Sequence, residues 1–211
     1  MRPLTRMALA LLAGLLLLAL ILVLVIPGPA GRSGTAPPSA GAGAGAQFDG
    51  AALPTTLAAP GFSLRDQGGQ RVTLEGQRGA VTVLTFLYSH CGAPCIVIAE
   101  QIRGALDELR RPPHVLILSA NPSTDTAASV RRFLAQVSLT GRVSYLTGPP
   151  AQLRRIWRDY RVTPAAAGST AFARAAFVLL IDARGRERVL FGPEQLTPEG
   201  LAHDIGRLQG G

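Results

Sequence analysis

The sequence is short of several residue types, and each shortage narrows what the protein can be. It contains no lysine, so all 21 basic side chains are arginines, and it has only two cysteines and three histidines. The formal net charge is +8, yet the arginines are spread along the chain without a run of like charges, which argues against nucleic-acid binding. Two cysteines, with neither a second pair nor a histidine cluster, are too few for a structural zinc site.

Aromatic residues are also scarce, because the chain has one Trp, three Tyr and seven Phe. Apolar residues nevertheless make up 47% of the 211 residues, which is enough for the core of one domain of ordinary size. We expect Tyr88 and Trp157 to pack in that core rather than to contact a partner.

The longest apolar run predicts a membrane anchor. Residues 7–26 carry no charge, follow Arg2 and Arg6, and end before Pro27. A run of about 20 apolar residues matches the hydrocarbon thickness of a bilayer and exceeds the apolar region of most cleavable signals, although cleavage after Ala30 stays open. With the arginines on the inside, residues 1–6 are predicted to be cytoplasmic and the rest of the chain extracytoplasmic. No cysteine follows the run, so a lipidated cysteine is not expected there.

Residues 27–52 are dominated by Gly, Ala and Pro and predict a flexible linker. The folded domain is therefore expected at residues 53–211. In an oxidising compartment outside the membrane, a lone pair of cysteines tends to form a disulfide unless a reductant or a metal intervenes.

The domain alternates between strand and helix patterns, which predicts an α/β fold with a central sheet. Runs of β-branched residues predict buried strands, and apolar residues at helical spacing predict helices. Asp125 and Thr126 are expected to cap one helix, with Asp125 a cap rather than a catalytic acid. The predicted strands are 62–65, 71–73, 80–87, 114–119, 143–146, 175–181 and 186–191, and the predicted helices are 96–110, 126–137, 150–160 and 197–208.

Both cysteines lie where the strand 80–87 turns into the next helix. Cys91 is expected at the helix cap and Cys95 one turn later, so that backbone N–H groups stabilise a thiolate. Side chains four residues apart on a helix have Cβ atoms about 5–6 Å apart, wider than the roughly 3.8 Å of a disulfide. This spacing favours two thiolates that converge on a soft metal such as Cu(I), and a disulfide would require the first turn to loosen.

The run VTVLTFLYSHCGAPC resembles the signature of the Sco/SenC family, which are thioredoxin-like, membrane-tethered proteins. The resemblance covers about residues 57–208 and continues through four further segments: FSLRDQGGQRVTLEGQRG, LILSANPSTDTAASVRRFL, YLTGPPAQLRRIWRDYRV and FVLLIDARGR. It implies a thioredoxin-like fold, Cu(I) as the metal, and Cys91 and Cys95 as catalytic and metal-binding residues. It also implies a partner at the membrane, either a subunit of cytochrome c oxidase or another thiol or copper protein.

The sequence departs from the family pattern at the third copper ligand. The family has a histidine eight residues before the Asp that ends the last central strand, and counting back from Asp182 gives Arg174. A guanidinium offers no lone pair to copper. Arg174 is either a solvated loop residue or a cation that stabilises a thiolate. The family also has an acidic residue in a Ser-x-Asp-Pro turn after one of its strands, and this chain has Asn121 at that position.

The three histidines and one proline are the remaining candidates at the site. His90 is a candidate third ligand or a loop imidazole beside Cys91, whereas His114 and His203 are expected on the surface. Pro164 is a candidate cis proline facing the cysteines.

Three functions remain open from the sequence. The first is a Cu(I) metallochaperone for the oxidase copper centre. The second is a copper-independent thiol–disulfide oxidoreductase, and the third is an interaction domain in which the cysteines form an inert bridge. No Pro-x-x-x-Thr motif precedes Cys91, which argues against a peroxidase.

Overall fold

A computed structural model describes residues 48–163, 172 and 175–210. The predicted membrane anchor, Pro164 and Arg174 all lie outside these residues. Among the described helices, none combines the length and apolar character needed to cross a bilayer.

The predicted α/β arrangement is confirmed. Six strands form a mixed sheet in the order β1-β8-β7-β4-β5-β6, and β2 and β3 form a separate hairpin. The strands are β1 (Ala51–Ala52), β2 (Ser63–Arg65), β3 (Arg71–Thr73), β4 (Thr82–Leu87), β5 (His114–Ser119), β6 (Ser144–Leu146), β7 (Val178–Ile181) and β8 (Glu187–Phe191). The helices are α1 (Ala93–Glu108), α2 (Ala127–Gln136), α3 (Pro150–Asp159) and α4 (Pro198–Gly210), with a 3-10 turn at Glu75–Gln77.

Strand β4 is the centre of the sheet. It pairs in parallel with β5 and antiparallel with β7, and all six of its residues are buried. An apolar, β-branched sequence suits a strand covered on both faces, as the sequence pattern predicted. Because β4 and β5 run in parallel, their carboxyl ends meet at one edge of the sheet, and the cysteine loop follows there.

Most elements begin and end within two residues of their predicted bounds, but α1 and β7 each begin three residues away, with β7 starting at Val178 rather than at residue 175. Helix α1 begins at Ala93 rather than at residue 96, since Pro94 is accommodated in the first turn. The sheet also extends before residue 53, because Ala51 and Ala52 pair with Leu190 and Val189 of β8. Two alanines carry no strand signal, so this short strand exists through its pairing with a neighbour rather than through local propensity.

Candidate functional site

Cys91 and Cys95 form a disulfide, with their Cα atoms 5.6 Å apart. The prediction that Cys91 caps helix α1 is wrong, because Gly92 is the N-cap and Cys91 precedes it. The two residues are therefore not on one face of a regular helix, and the expected separation of their Cβ atoms does not apply. The Cα distance falls in the ordinary range for disulfides. The structure contradicts the expectation that this spacing disfavours a disulfide.

Gly92 allows the chain to turn sharply between the two cysteines. Its φ is 75° and its ψ is −151°, a conformation that residues with a Cβ rarely adopt. The Cys91 N–H donates to the Tyr88 carbonyl, and the Ile96 N–H donates to the Gly92 carbonyl. A tight turn before Gly92 and a regular helix after it thus bring Cys91 back over the first helical turn.

The two sulfur-bearing residues differ in accessibility. Cys95 is fully buried, whereas Cys91 is partly exposed and is followed by the exposed residues Gly92, Ala93 and Pro94. An external thiol can therefore reach the Cys91 side of the bridge first. Cys95 lies in the first turn of α1, where unpaired backbone N–H groups and the helix dipole favour a thiolate. This arrangement suits Cys95 as the leaving sulfur when the bridge is reduced.

A buried carboxylate braces the loop that leads into Cys91. Asp125 is only 6% exposed and accepts the Ser89 N–H at 2.7 Å. Its other oxygen accepts the Ser119 hydroxyl at 2.5 Å and the Tyr145 hydroxyl at 2.8 Å. Ser119 ends β5, so the brace ties the cysteine loop to the neighbouring strand. Burial first, and then the Asp125 charge and hydrogen bond, raise the pKa of Tyr145, so its phenol stays protonated and keeps donating.

Of the two residues predicted to cap α2, Asp125 and Thr126, only Thr126 does so. Thr126 is the N-cap of α2, and its hydroxyl accepts the Ser129 N–H. Asp125 instead turns into the protein interior, and it does so because Ser89, Ser119 and Tyr145 supply donors there. Those partners are up to 36 residues away in sequence, which is why no local pattern reveals this brace.

The described histidines do not gather around the cysteines. His90 is exposed, with Nδ1 3.0 Å from the Ser89 hydroxyl. His114 is exposed and opens β5 at the far end of the sheet, as predicted. His203 lies on α4 with Nδ1 2.8 Å from Asp49 and 3.0 Å from Asp204. In the part of the chain that the structure describes, Asp49, His203 and Asp204 form the only group of His, Cys, Asp or Glu side chains that lie close enough together to share a metal ion.

An aromatic contact joins the segment before β7 to the cysteine loop. Phe172 is buried and packs edge-on against Tyr88, with ring centroids 5.4 Å apart. Tyr88 lies three residues before Cys91, and Phe172 lies two residues before Arg174. Trp157 is also buried, and its Nε1 donates to the Ser119 carbonyl. The expectation that Tyr88 and Trp157 serve packing is confirmed.

The donor set can be tested against copper from the side chains alone. Two thiolates, released when the disulfide is reduced, suit Cu(I). No described imidazole joins them to form a group of three ligands. The described residues therefore fit a two-sulfur Cu(I) site and leave the third position of the family pattern unfilled.

Comparison with known proteins places this geometry in a family. The SCO1/SenC family model matches residues 51–209. The mitochondrial SCO1 homolog 1 of Arabidopsis thaliana is 29% identical over 105 residues, which cover 48% of this chain and 31% of that protein. The chain thus spans about a third of the length of the curated relatives it matches.

Solved structures show the same fold. Copper-bound ScoI of Bradyrhizobium japonicum is 28% identical with a TM-score of 0.54, and the match covers 72% of this chain and 99% of that one. BsSco, a member of the Sco family of cytochrome c oxidase assembly proteins with an identified disulfide switch, has a TM-score of 0.63 at 16% identity, covering 74% and 95%. At that identity BsSco supports the fold alone. The thioredoxin-like α/β fold and the CxxxC pair are both present, and the chain belongs to the SCO1/SenC family.

Proposed function

We propose that this chain handles Cu(I) in the assembly of the copper centre of cytochrome c oxidase through the dithiol form of Cys91 and Cys95. The observation that carries the proposal is the pairing of a partly exposed Cys91 with a buried Cys95 at the start of α1, in a SCO1/SenC domain. Copper-bound relatives of the same fold support it.

Reduction precedes copper binding in this proposal. A thiol donor attacks the Cys91 sulfur, the bridge opens, and Cys95 leaves as a thiolate that the helix N-terminus stabilises. A second thiolate of the donor releases Cys91, so the donor is oxidised by the same electron pair that reduces the bridge. Two free thiolates then hold Cu(I) as cargo. A site with two sulfurs and no third protein ligand releases copper to an acceptor more readily than a complete three-ligand site.

We place the domain at the membrane in this proposal. Residues 7–26 anchor the chain, residues 27–47 form the linker because Ala51 and Ala52 already belong to the sheet, and the domain faces the extracytoplasmic side. The partner is a subunit of the oxidase or another thiol or copper protein at the same membrane.

The test uses the full chain in neutral detergent, reduced and offered Cu(I) in competition with a chelator. The expected result is one Cu(I) per chain, lost in Cys91→Ser and in Cys95→Ser. His90→Ala tests the one imidazole next to the pair, and His114→Ala is the matched control at the opposite end of the sheet. Failure of the wild-type chain to hold copper against the competitor would rule out the copper proposal.

A second function is favoured by a different observation. The cysteines form a disulfide, and an arginine stands where the family pattern has its histidine. In this alternative the Cys91 thiolate attacks a partner disulfide and releases one partner thiolate. Cys95 then attacks the mixed disulfide at Cys91, which closes the bridge and releases the second partner thiolate. The partner is reduced and this chain is oxidised.

The two functions separate in one further measurement on the same preparation. The dithiol potential is measured by equilibration with a thiol redox buffer. A potential in the range of known exchangers, together with no competitive copper binding, supports the oxidoreductase. The chain could instead show neither competitive copper binding nor such a potential, with thiols that resist alkylation after reduction. That result would identify the cysteine pair as an inert bridge.

A further inference from the structure

A cleft lined by four arginines lies at the end of the sheet opposite the cysteines. Its volume is about 550 Å³. We call it the arginine cleft and define it by Arg184, Arg186, Arg188 and Arg207, with Asp182 as the one acidic side chain in its lining. Arg184 to Arg188 belong to the turn and strand after β7, and Arg207 belongs to the last turn of α4.

Positive charge in the cleft exceeds what its acid can neutralise. Asp182 accepts Arg186 Nε at 3.1 Å and Arg188 Nη1 at 3.3 Å. Arg184 and Arg207 are exposed, and neither forms an ion pair with the described part of the chain. Two guanidinium groups therefore face the cleft without a carboxylate of their own.

A fifth arginine adds to this field. Arg78 lies over the turn that follows Asp182, since a Cβ placed on Gly185 would meet Arg78 Nε at 3.4 Å. The whole turn thus sits among guanidinium groups contributed by separate parts of the chain.

One donor in the cleft lining lacks an acceptor. Arg188 Nε is enclosed from solvent and forms no hydrogen bond with the described residues. An enclosed donor without a partner is costly, and an oxygen atom of a bound anion would relieve that cost. Guanidinium groups match the tetrahedral oxygens of phosphate better than ammonium groups do, because each one presents two parallel donors.

The cleft also lies beside the place where the chain enters the domain. Phe48, the first described residue, contributes to its lining. Ile181 pairs with Thr82 at the start of β4, whereas the cysteines follow the end of β4. The six residues of β4 separate these two ends by about 20 Å. A ligand held in the cleft would therefore leave the Cys91 side of the domain free.

We infer that the arginine cleft is a binding site for a phosphate group, either free or carried by a lipid headgroup. Neither source depends on copper binding or on thiol exchange. The lipid source rests on the membrane placement in the proposed function, and a headgroup held in the cleft would leave the cysteines free.

The first arm of the test measures binding of inorganic phosphate to the full chain in neutral detergent at constant ionic strength. Arg184→Gln/Arg207→Gln removes the two unpaired guanidinium groups, and Arg188→Gln removes the enclosed donor. Arg131→Gln/Arg132→Gln is the matched control, since both residues are exposed on α2 and the loss of charge is the same as in the double cleft variant. We expect each cleft variant to weaken binding at least about tenfold and the control to change it less than about twofold.

Thermal melting in the absence of phosphate identifies any variant that fails to fold. The Arg184→Gln/Arg207→Gln variant keeps the Asp182 pairs intact, so it reports on binding even if Arg188→Gln unfolds. Equal weakening in the cleft and control variants would overturn the inference, because binding would then reflect net charge alone. The inference would also be overturned if the chain showed no saturable binding of phosphate and no protection of residues 182–188 by phosphatidylglycerol in the second arm below.

The second arm distinguishes the two sources. The full chain is reconstituted in bilayer discs of phosphatidylcholine with and without phosphatidylglycerol, and hydrogen exchange is followed for residues 182–188. Protection that requires phosphatidylglycerol and disappears in Arg184→Gln/Arg207→Gln identifies a lipid headgroup. Binding of inorganic phosphate without such protection identifies a soluble phosphate.

Discussion

The two ends of the central sheet in this protein are stabilised in different ways. At the cysteine end, the loop after β4 depends on one buried carboxylate, Asp125, which accepts three hydrogen bonds, two of them from groups 20 and 36 residues away in sequence. At the arginine end, Asp182 accepts hydrogen bonds from the backbone of the turn that directly follows it, and guanidinium groups surround it. The first end has a buried carboxylate behind a partly exposed cysteine, whereas the second is open and positively charged.

The chemistry proposed for each end requires a different local structure. A thiol pair that changes redox state needs a rigid support for the loop that carries it. An anion site needs guanidinium groups that no carboxylate neutralises, as Arg184 and Arg207 provide.

Replacement of Asp125 by alanine should produce the largest effect. It leaves the Ser119 hydroxyl and the Ser89 N–H without their acceptor and leaves the Tyr145 hydroxyl only the Leu87 carbonyl at 3.2 Å, so the free energy of unfolding should fall by about 3 kcal/mol or more. Denaturant unfolding of the oxidised chain measures the loss. Since the brace holds the loop before Cys91, thiol alkylation of the reduced variant should also be faster. Unfolding unchanged within about 0.5 kcal/mol would show that the cysteine end does not depend on this carboxylate.

Arg174→His should raise Cu(I) affinity by about tenfold or more, because it places an imidazole where the family pattern has its third ligand. The measurement is chelator competition on the reduced full chain. Arg184→His, at the other end of the sheet, is the control, since it exchanges the same two side chains away from the cysteines. Equal affinity in the wild-type chain and both variants would mean that residue 174 does not reach the thiol pair.

Gly92→Ala should destabilise the folded chain by about 1–2 kcal/mol, because a Cβ is strained at a φ of 75°. The strain acts at the N-cap between the cysteines, so the dithiol potential should shift as well. Gly79→Ala is a matched control, since its φ is 93° and it lies away from the cysteines. The control should lose similar stability and leave the potential unchanged. A shift of equal size in both variants would contradict a local role for Gly92.

These expectations also show how far the sequence alone defines the molecule. The apolar run at 80–87 and the helical spacing after Cys95 are sufficient to predict β4, α1 and the α/β order, because both patterns are local. The disulfide geometry was not predictable, since it depends on Gly92 rather than Cys91 serving as the cap. The Asp125 brace and the pairing of Ala51 with β8 were missed for one shared reason: their partners are far away in sequence. Whether Cys91 and Cys95 carry out the proposed chemistry stays a prediction.

The smallest effect is expected at the arginine end. Burial alone would raise the pKa of Asp182, but the N–H groups of Arg186 and Arg184 and the Arg186 guanidinium hold it below its ordinary value. A carboxyl group whose pKa is lower in the folded chain stabilises the fold above its unfolded pKa, about 3.9, and that contribution is lost as the pH falls through the lower folded value. Asp182→Asn should therefore cost about 1 kcal/mol at pH 7 and progressively less as the pH falls below about 4. Unfolding measured across this range checks the sign, and Asp66→Asn, in an exposed turn of the hairpin, is the control. A difference between Asp182→Asn and the wild-type chain that stays constant with pH would show that the ion pairs at this end do not stabilise the ionised carboxylate.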